Sequence, residues 1–266
     1  MPTRPKTKKG SPTTSTEQPL NDQAILLEAR KALDTTQQQA LAALELRKNQ
    51  ATTVSEEVEA LKQLSSQWNT WRRFDAGAYY AEKVAEIAND GDAWSMAGTS
   101  YGIAYQSSSD IMYRRFAARK AIAALEKAIQ FQPDSVSHQI NEALMYVELS
   151  SVDESVPPMT GAQKLLALDS KYPNNVRVNF SLAQLSMMRS GDYRKAINRL
   201  QTLVRIPAID SASLLDANFM LVNCYKSIEM PDSAAFHYER CIEYSAFDAN
   251  LQAQIRRAKQ EYLSKK

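Results

Sequence analysis

The stretch "NFMLVNCYKSIEMPDSAAFHYERCIEYS", residues 218–245, decides how the whole chain is read. Leu221 and Tyr225 lie four apart. "MPDS" then interrupts the apolar rhythm, and Ala234, Tyr238 and Cys241 resume it at spacings of four and three. Intervals of three and four put side chains on one stripe of a helix. The segment therefore reads as two short helices joined by a tight turn. Small residues sit where the helices would approach most closely, with an aromatic beside them.

Working outward, the same order of residue types returns three times. "NFSLAQLSMMRSGDYRKAINRLQTLVRIP", residues 179–207, contains Leu182, Ala183, Gly191, Asp192, Tyr193, Ala196, Leu200 and Pro207. "NEALMYVEL", residues 141–149, supplies Ala143 and Tyr146, followed by Gly161, Leu165 and Pro173. "WSMAGTSY", residues 94–101, supplies Trp94, Gly98 and Tyr101, followed by Ala121, Leu125 and Pro133. This series resembles the tetratricopeptide repeat, with W-x2-L-G-x2-Y, then A-x3-F, then P. The resemblance covers residues 91–246 and implies an all-α solenoid, a right-handed superhelix of about five helix pairs. Tyr101, Tyr146, Ser186 and Tyr225 are expected at equivalent places in successive hairpins. Pro133 cannot continue a helix, and Asp134 or Ser135 can cap the next one. One pair cannot bury both of its faces, so neighbours must stack.

Composition agrees with this class. The chain has 266 residues, 44% of them apolar, but only seven glycines. No proline stands between Pro19 and Pro133. Alanine, leucine, glutamate, glutamine and lysine dominate that interval, and they lose little side-chain freedom in a helix. A degenerate helix pair is expected over 51–90, with Leu61, Leu64, Trp68, Phe74, Gly77 and Ala81 as its frame. Thr53 and Glu56 form a capping box at its start. Residues 20–50 read as an N-terminal helical segment with Leu26, Leu33, Leu41 and Leu44 near one face, and residues 247–266 as a polar-faced capping helix. Residues 1–19 are rich in Pro, Ser, Thr and Lys and are expected to be a disordered basic tail.

Two insertions break the frame. "QSSSDIMYRRFAARK", residues 106–120, is expected to lengthen a second helix by two or three turns beyond the stack, and "SVDESVPPM", residues 151–159, to form a loop.

The sequence offers little for chemistry. Formal charge is +2, but residues 1–20 hold a net +3, so the rest is slightly acidic and nucleic acid is not an expected partner. His138 and His237 have no ligand-spaced companions, and the two cysteines, Cys224 and Cys241, read as buried inert thiols. Phosphate loops and nucleophile motifs are absent. No enzyme, cofactor or metal is expected. With no signal peptide and no apolar run long enough to span a bilayer, the chain reads as cytoplasmic, or as envelope-associated if a natural anchor has been removed.

Family members commonly take helices or extended peptides in the groove lined by the first helices. One co-chaperone subgroup grips a C-terminal carboxylate through Lys, Asn and Arg. The corresponding positions here are Ser95, Thr99, Asn141, Arg177 and Ser181, of which only Asn141 matches outright and Arg177 preserves charge. That clamp is not expected. The resemblance instead directs Met96, Ile140, Leu144, Phe180, Met187, Met188, Phe219 and Met220 inward, with Asn141, Gln184 and Asn223 among them. The function implied is a protein-interaction scaffold or adaptor, with a membrane-associated envelope-assembly factor as the alternative. Three arrangements stay open: an open groove, side chains packed between adjacent first helices, or residues 22–48 folding back into the groove or pairing as a homodimer. A second candidate surface is Tyr113, Arg114, Arg115, Phe116, Arg119 and Lys120, set against a merely solvated helical extension.

Overall fold

The computed structural model describes residues 20–207 and 209–264, so the expected basic tail, 1–19, lies outside the described residues. Within them the chain forms thirteen α-helices and no strand. They are α1 Asp22–Lys31, α2 Thr35–Gln50, α3 Val54–Thr70, α4 Phe74–Ala88, α5 Gly91–Ser107, α6 Ile111–Phe131 and α7 Val136–Leu149. The series continues with α8 Thr160–Lys171, α9 Val176–Met188, α10 Tyr193–Leu203, α11 Ser211–Ser227, α12 Pro231–Tyr244 and α13 Ala249–Leu263. No helix among the described residues is long and apolar enough to cross a membrane.

Local chemistry sets the starts. Asp90, Ser135, Asn175, Asp210 and Asp248 each accept hydrogen bonds from first-turn backbone N–H groups that lack a helical partner. Thr53 and Glu56 make their capping box in both directions.

Packing then makes the array. Helices α3–α4, α5–α6, α7–α8, α9–α10 and α11–α12 are hairpins, and α5, α7, α9 and α11 touch in series. Gly98 on α5 lets the two helices of its hairpin meet: a Cβ there would stand 2.6 Å from Leu125 Cγ. Gly161 on α8 does the same against α7, where a Cβ would stand 2.3 Å from the Ala143 carbonyl oxygen. The tyrosines of the first helices link one hairpin to the preceding one. Tyr101 Oη donates to Glu82 on α4 at 2.6 Å, and Tyr146 Oη donates to Glu126 on α6 at 3.0 Å. Tyr225 Oη accepts from Gln201 Nε2 on α10 at 2.8 Å. Ser186 is too short to reach across, and its hydroxyl donates to the Leu182 carbonyl within α9.

The two ends differ from expectation in one respect. Residues 20–50 form two helices, broken before Asp34, whose carboxylate and Gln37 make a second capping box. Three of their leucines are spent internally, Leu26, Leu33 and Leu41 being buried against Leu61, Leu64, Trp68 and Tyr80, while Leu27 and Leu46 stay exposed. Lys120 pins α1 in place through Asp22 at 3.0 Å and Glu82 at 2.6 Å. The segment therefore packs on α3 and α4 and does not fill the groove. At the other end α13 buries Ile255, packs Leu251 and Tyr262 on the same core and leaves Leu263 exposed among polar side chains.

The first insertion also departs from expectation. It lengthens α5 and α6 together, and one side of the extension is buried while Ile111 and Met112 stay exposed. Tyr113, Ala117 and Ala118 are buried with Ile25, Tyr105 and Leu149, and Val152 and Val156 of the second insertion pack on the same cluster. The apolar side chains of α6 exceed what a solvated helix would carry, and α1 and the 151–159 loop cover them from two sides.

Candidate interaction cleft

The C-terminal halves of α5, α7 and α9 enclose a cleft of about 610 Å³. Its walls carry Thr99, Ile103 and Gln106 from α5, Leu144, Met145 and Glu148 from α7, and Gln184, Leu185 and Met188 from α9, with Arg189 at one end. Met188 is 73% exposed and Ile103 47%, so apolar area faces open solvent here. Such area on a folded surface marks interaction sites more often than isolated exposed leucines do.

Of the residues expected inward, Asn141, Leu144, Gln184 and Met188 line this cleft. Met187, Met188 and Asn223 border a second depression of about 640 Å³ between α9 and α11. Met96 is exposed on α5 but outside the lining. Ile140 is different: it is 1% exposed, packed against Leu165, Val178 and Leu182. Phe180 and Met220 are half-buried in the core shared by α9 to α12, and Phe219 packs with Leu215, Tyr238 and Ile242. One residue along a helix turns the side chain by about 100°, enough to move it from the concave face to the seam between hairpins.

Sequence reading missed Ile103, Gln106, Met145, Glu148, Leu185 and Arg189. A signal existed for the first two. Met96, Thr99, Ile103 and Gln106 follow helical spacing, but in the repeat frame Gln106 reads as the start of the insertion rather than as the end of a lengthened α5.

The cationic-aromatic patch is largely committed to internal contacts. Tyr113 is buried and Phe116 packs beside it. The Arg114 guanidinium lies 4.4 Å from the Tyr105 ring centroid and donates to Tyr105 Oη at 2.6 Å. Arg115 donates twice to the Val152 carbonyl, at 2.9 and 3.1 Å. Arg119 donates to Asp153 Oδ2 through Nε at 3.0 Å and Nη2 at 2.5 Å. Hydrogen bonds from Ser155 and then Arg119 hold the Asp153 carboxyl down to about 2, so it stays ionised in its buried position. The two insertions thus brace each other. Glu148 connects this brace to the cleft, accepting from Tyr105 Oη at 3.0 Å and from Arg189 at 3.2 Å.

The remaining titratable groups suit packing. His237 stacks on Tyr225 with centroids 5.3 Å apart and shares a 2.8 Å hydrogen bond with Asn218, and burial pushes its pKa down to about 4. His138 is buried with its Nε2 bonded to Gln132. Burial raises the thiols of Cys224 and Cys241 to about 11 and about 12.

The repeat positions read from the sequence serve as hairpin-to-hairpin contacts in series. The chain is a tetratricopeptide-like helical array. No protein-family model matches it, and no curated protein matches it. Several solved structures are similar in arrangement. One is TTC0263, a thermophilic TPR protein of Thermus thermophilus, at 15% identity and TM-score 0.49, covering 76% of this chain and 98% of that one. Another is YrrB, described as a TPR protein with an unusual peptide-binding site, at 14% identity and TM-score 0.42, covering 81% and 96%. A third is PilF of Pseudomonas aeruginosa, at 16% identity and TM-score 0.33, covering 80% and 99%.

Proposed function

We propose that this array is a non-catalytic scaffold that takes a helix or extended peptide of a partner protein in the cleft of α5, α7 and α9. The observation that carries the reading is the open, partly apolar cleft of about 610 Å³ on the face where three first helices run side by side. Apolar surface left in water is a standing cost that a partner removes on binding. Methionine adapts its shape to different side chains, and Met188 is well exposed in the lining. A carboxylate clamp is not what these walls offer. Asn141, its one matching residue, already accepts from Arg177 Nη2 at 3.0 Å. Self-association through residues 20–50 has less apolar surface to use, because Leu26, Leu33 and Leu41 are buried within the chain and only Leu27 and Leu46 stay exposed.

The reading is tested with a photocrosslinking residue placed at Ile103, at Met188, or on α6 at Phe131, in the intact chain. A partner protein crosslinked from 103 and 188 but not from 131 supports it. Equal crosslinking from all three positions overturns it.

A further inference from the structure

We infer that the segment this cleft takes is uncharged and apolar and is held without ion pairs, an inference that rests on reading the cleft as a partner site. Across α5, α7 and α9 the only charged side chains are Asp92, Glu142, Glu148 and Arg177. By contrast α6 alone carries Arg114, Arg115, Arg119, Lys120, Glu126 and Lys127. Charge is sparse on the three first helices that form the walls and dense on α6 behind them.

The few charges that remain are already engaged. Asp92 accepts from Gln132 at 3.2 Å near the start of α5. Glu142 pairs with Lys164 on α8 at 2.8 Å, and Arg177 is bonded to Asn141. Glu148 is the one carboxylate in the lining. It is held by Tyr105 Oη and faces its own counter-ion, Arg189. The rest of the lining carries no charge: Ile103, Leu144, Leu185 and Met188 stand among neutral Thr99, Gln106, Asn141, Ser181 and Gln184.

Electrostatic complementarity selects partners mainly by penalising the wrong ones. A lysine or glutamate placed on these walls would give up its water and meet methionine and leucine. Within the lining itself it could regain a counter-charge only by breaking the Glu148–Arg189 pair, and a desolvated charge without a partner is costly. An apolar side chain pays nothing of the kind. The cleft therefore favours segments with no charge over the length they bury, and salt should have little leverage on binding.

The test is selection of displayed random 16-residue peptides on the full chain, followed by affinity measurement of the winners. The expected winners have an uncharged core, and their affinity changes less than about twofold between about 50 and about 500 mM NaCl. One lysine or aspartate placed in the core should weaken binding about tenfold or more. Ile103→Asp and Met188→Asp should each weaken it at least about tenfold, with circular dichroism unchanged because both side chains are exposed. Winners that depend on Ile103 and Met188 yet carry essential charges, or lose affinity steeply with salt, overturn the inference and leave the cleft reading standing. Obtaining no peptide that depends on Ile103 and Met188 overturns both.

Discussion

Replacing Gly161 with alanine tests the hairpin packing on which the cleft depends. A Cβ at this position would stand 2.3 Å from the Ala143 carbonyl oxygen, 2.5 Å from Val147 Cγ2 and 2.6 Å from the Val147 nitrogen. Two of the three are backbone atoms of α7, which cannot swing aside like the end of a side chain. Relief requires α7 and α8 to separate by roughly 1 Å, to restore an ordinary contact, and overpacking of this kind costs about 1–3 kcal/mol. Alanine's better helix propensity returns at most about 1 kcal/mol, and less near a helix start, so a net loss of about 2 kcal/mol is expected. Gly102→Ala is the control. There a Cβ meets only the flexible Met145 sulfur at 3.4 Å, so the propensity gain should dominate and stability should rise by up to about 1 kcal/mol. Stacked arrays open in parts, so hydrogen exchange resolved by segment is the right assay. Gly161→Ala should speed exchange in α7 and α8 by about 30-fold, at 1.4 kcal/mol per factor of ten, and Gly102→Ala should not. Equal effects of the two substitutions would refute the claim that these helices meet at Gly161.

Further outcomes follow from the same coordinates. Asp153→Ala removes a buried carboxylate bonded to Arg119 and Ser155, at an expected cost of about 2 kcal/mol, and should accelerate exchange over 106–118 more than in α11 or α12. His237 has a folded pKa near 4, below its unfolded value, so the stability it supplies is complete above about pH 6.5 and is lost as pH falls toward 4. Acid melting of α11 and α12 should therefore begin below pH 6.5 and be blunted in His237→Gln, with the full effect no more than about 3 kcal/mol. Cys224 and Cys241, buried and raised to about 11 and about 12, should resist a thiol reagent at pH 8 until the chain is unfolded; rapid labelling of the native protein would contradict their packing.

Much of the array was legible because its information is local. Thr53 and Glu56 announce a helix start within four residues, and Tyr225 and Ala234, with no insertion between them, meet in one core at a separation the repeat frame specifies. The break at Asp34 was equally local, since Asp34 and Gln37 form a capping box, but the leucine stripe on both sides masked it. The cleft was half legible. Leu144, Gln184 and Met188 fall in it, whereas Ile140 and Phe180 turn into seams between helices. Both sets are apolar residues on first helices, and only the crossing geometry of neighbouring helices separates them.

By itself the sequence determined where most of the repeat helices begin, that they pair into hairpins, and that the hairpins must stack, since each depends on contacts at short or repeating separations. Tertiary structure alone decided that Arg115 and Arg119 are spent on Val152 and Asp153, and that α1 and α2 close one end without filling the cleft. Those contacts join residues at separations that no repeat dictates. Which side chains meet across them depends on how much apolar surface each element has left after its local partners are satisfied, and that becomes determinate only when the whole chain is packed.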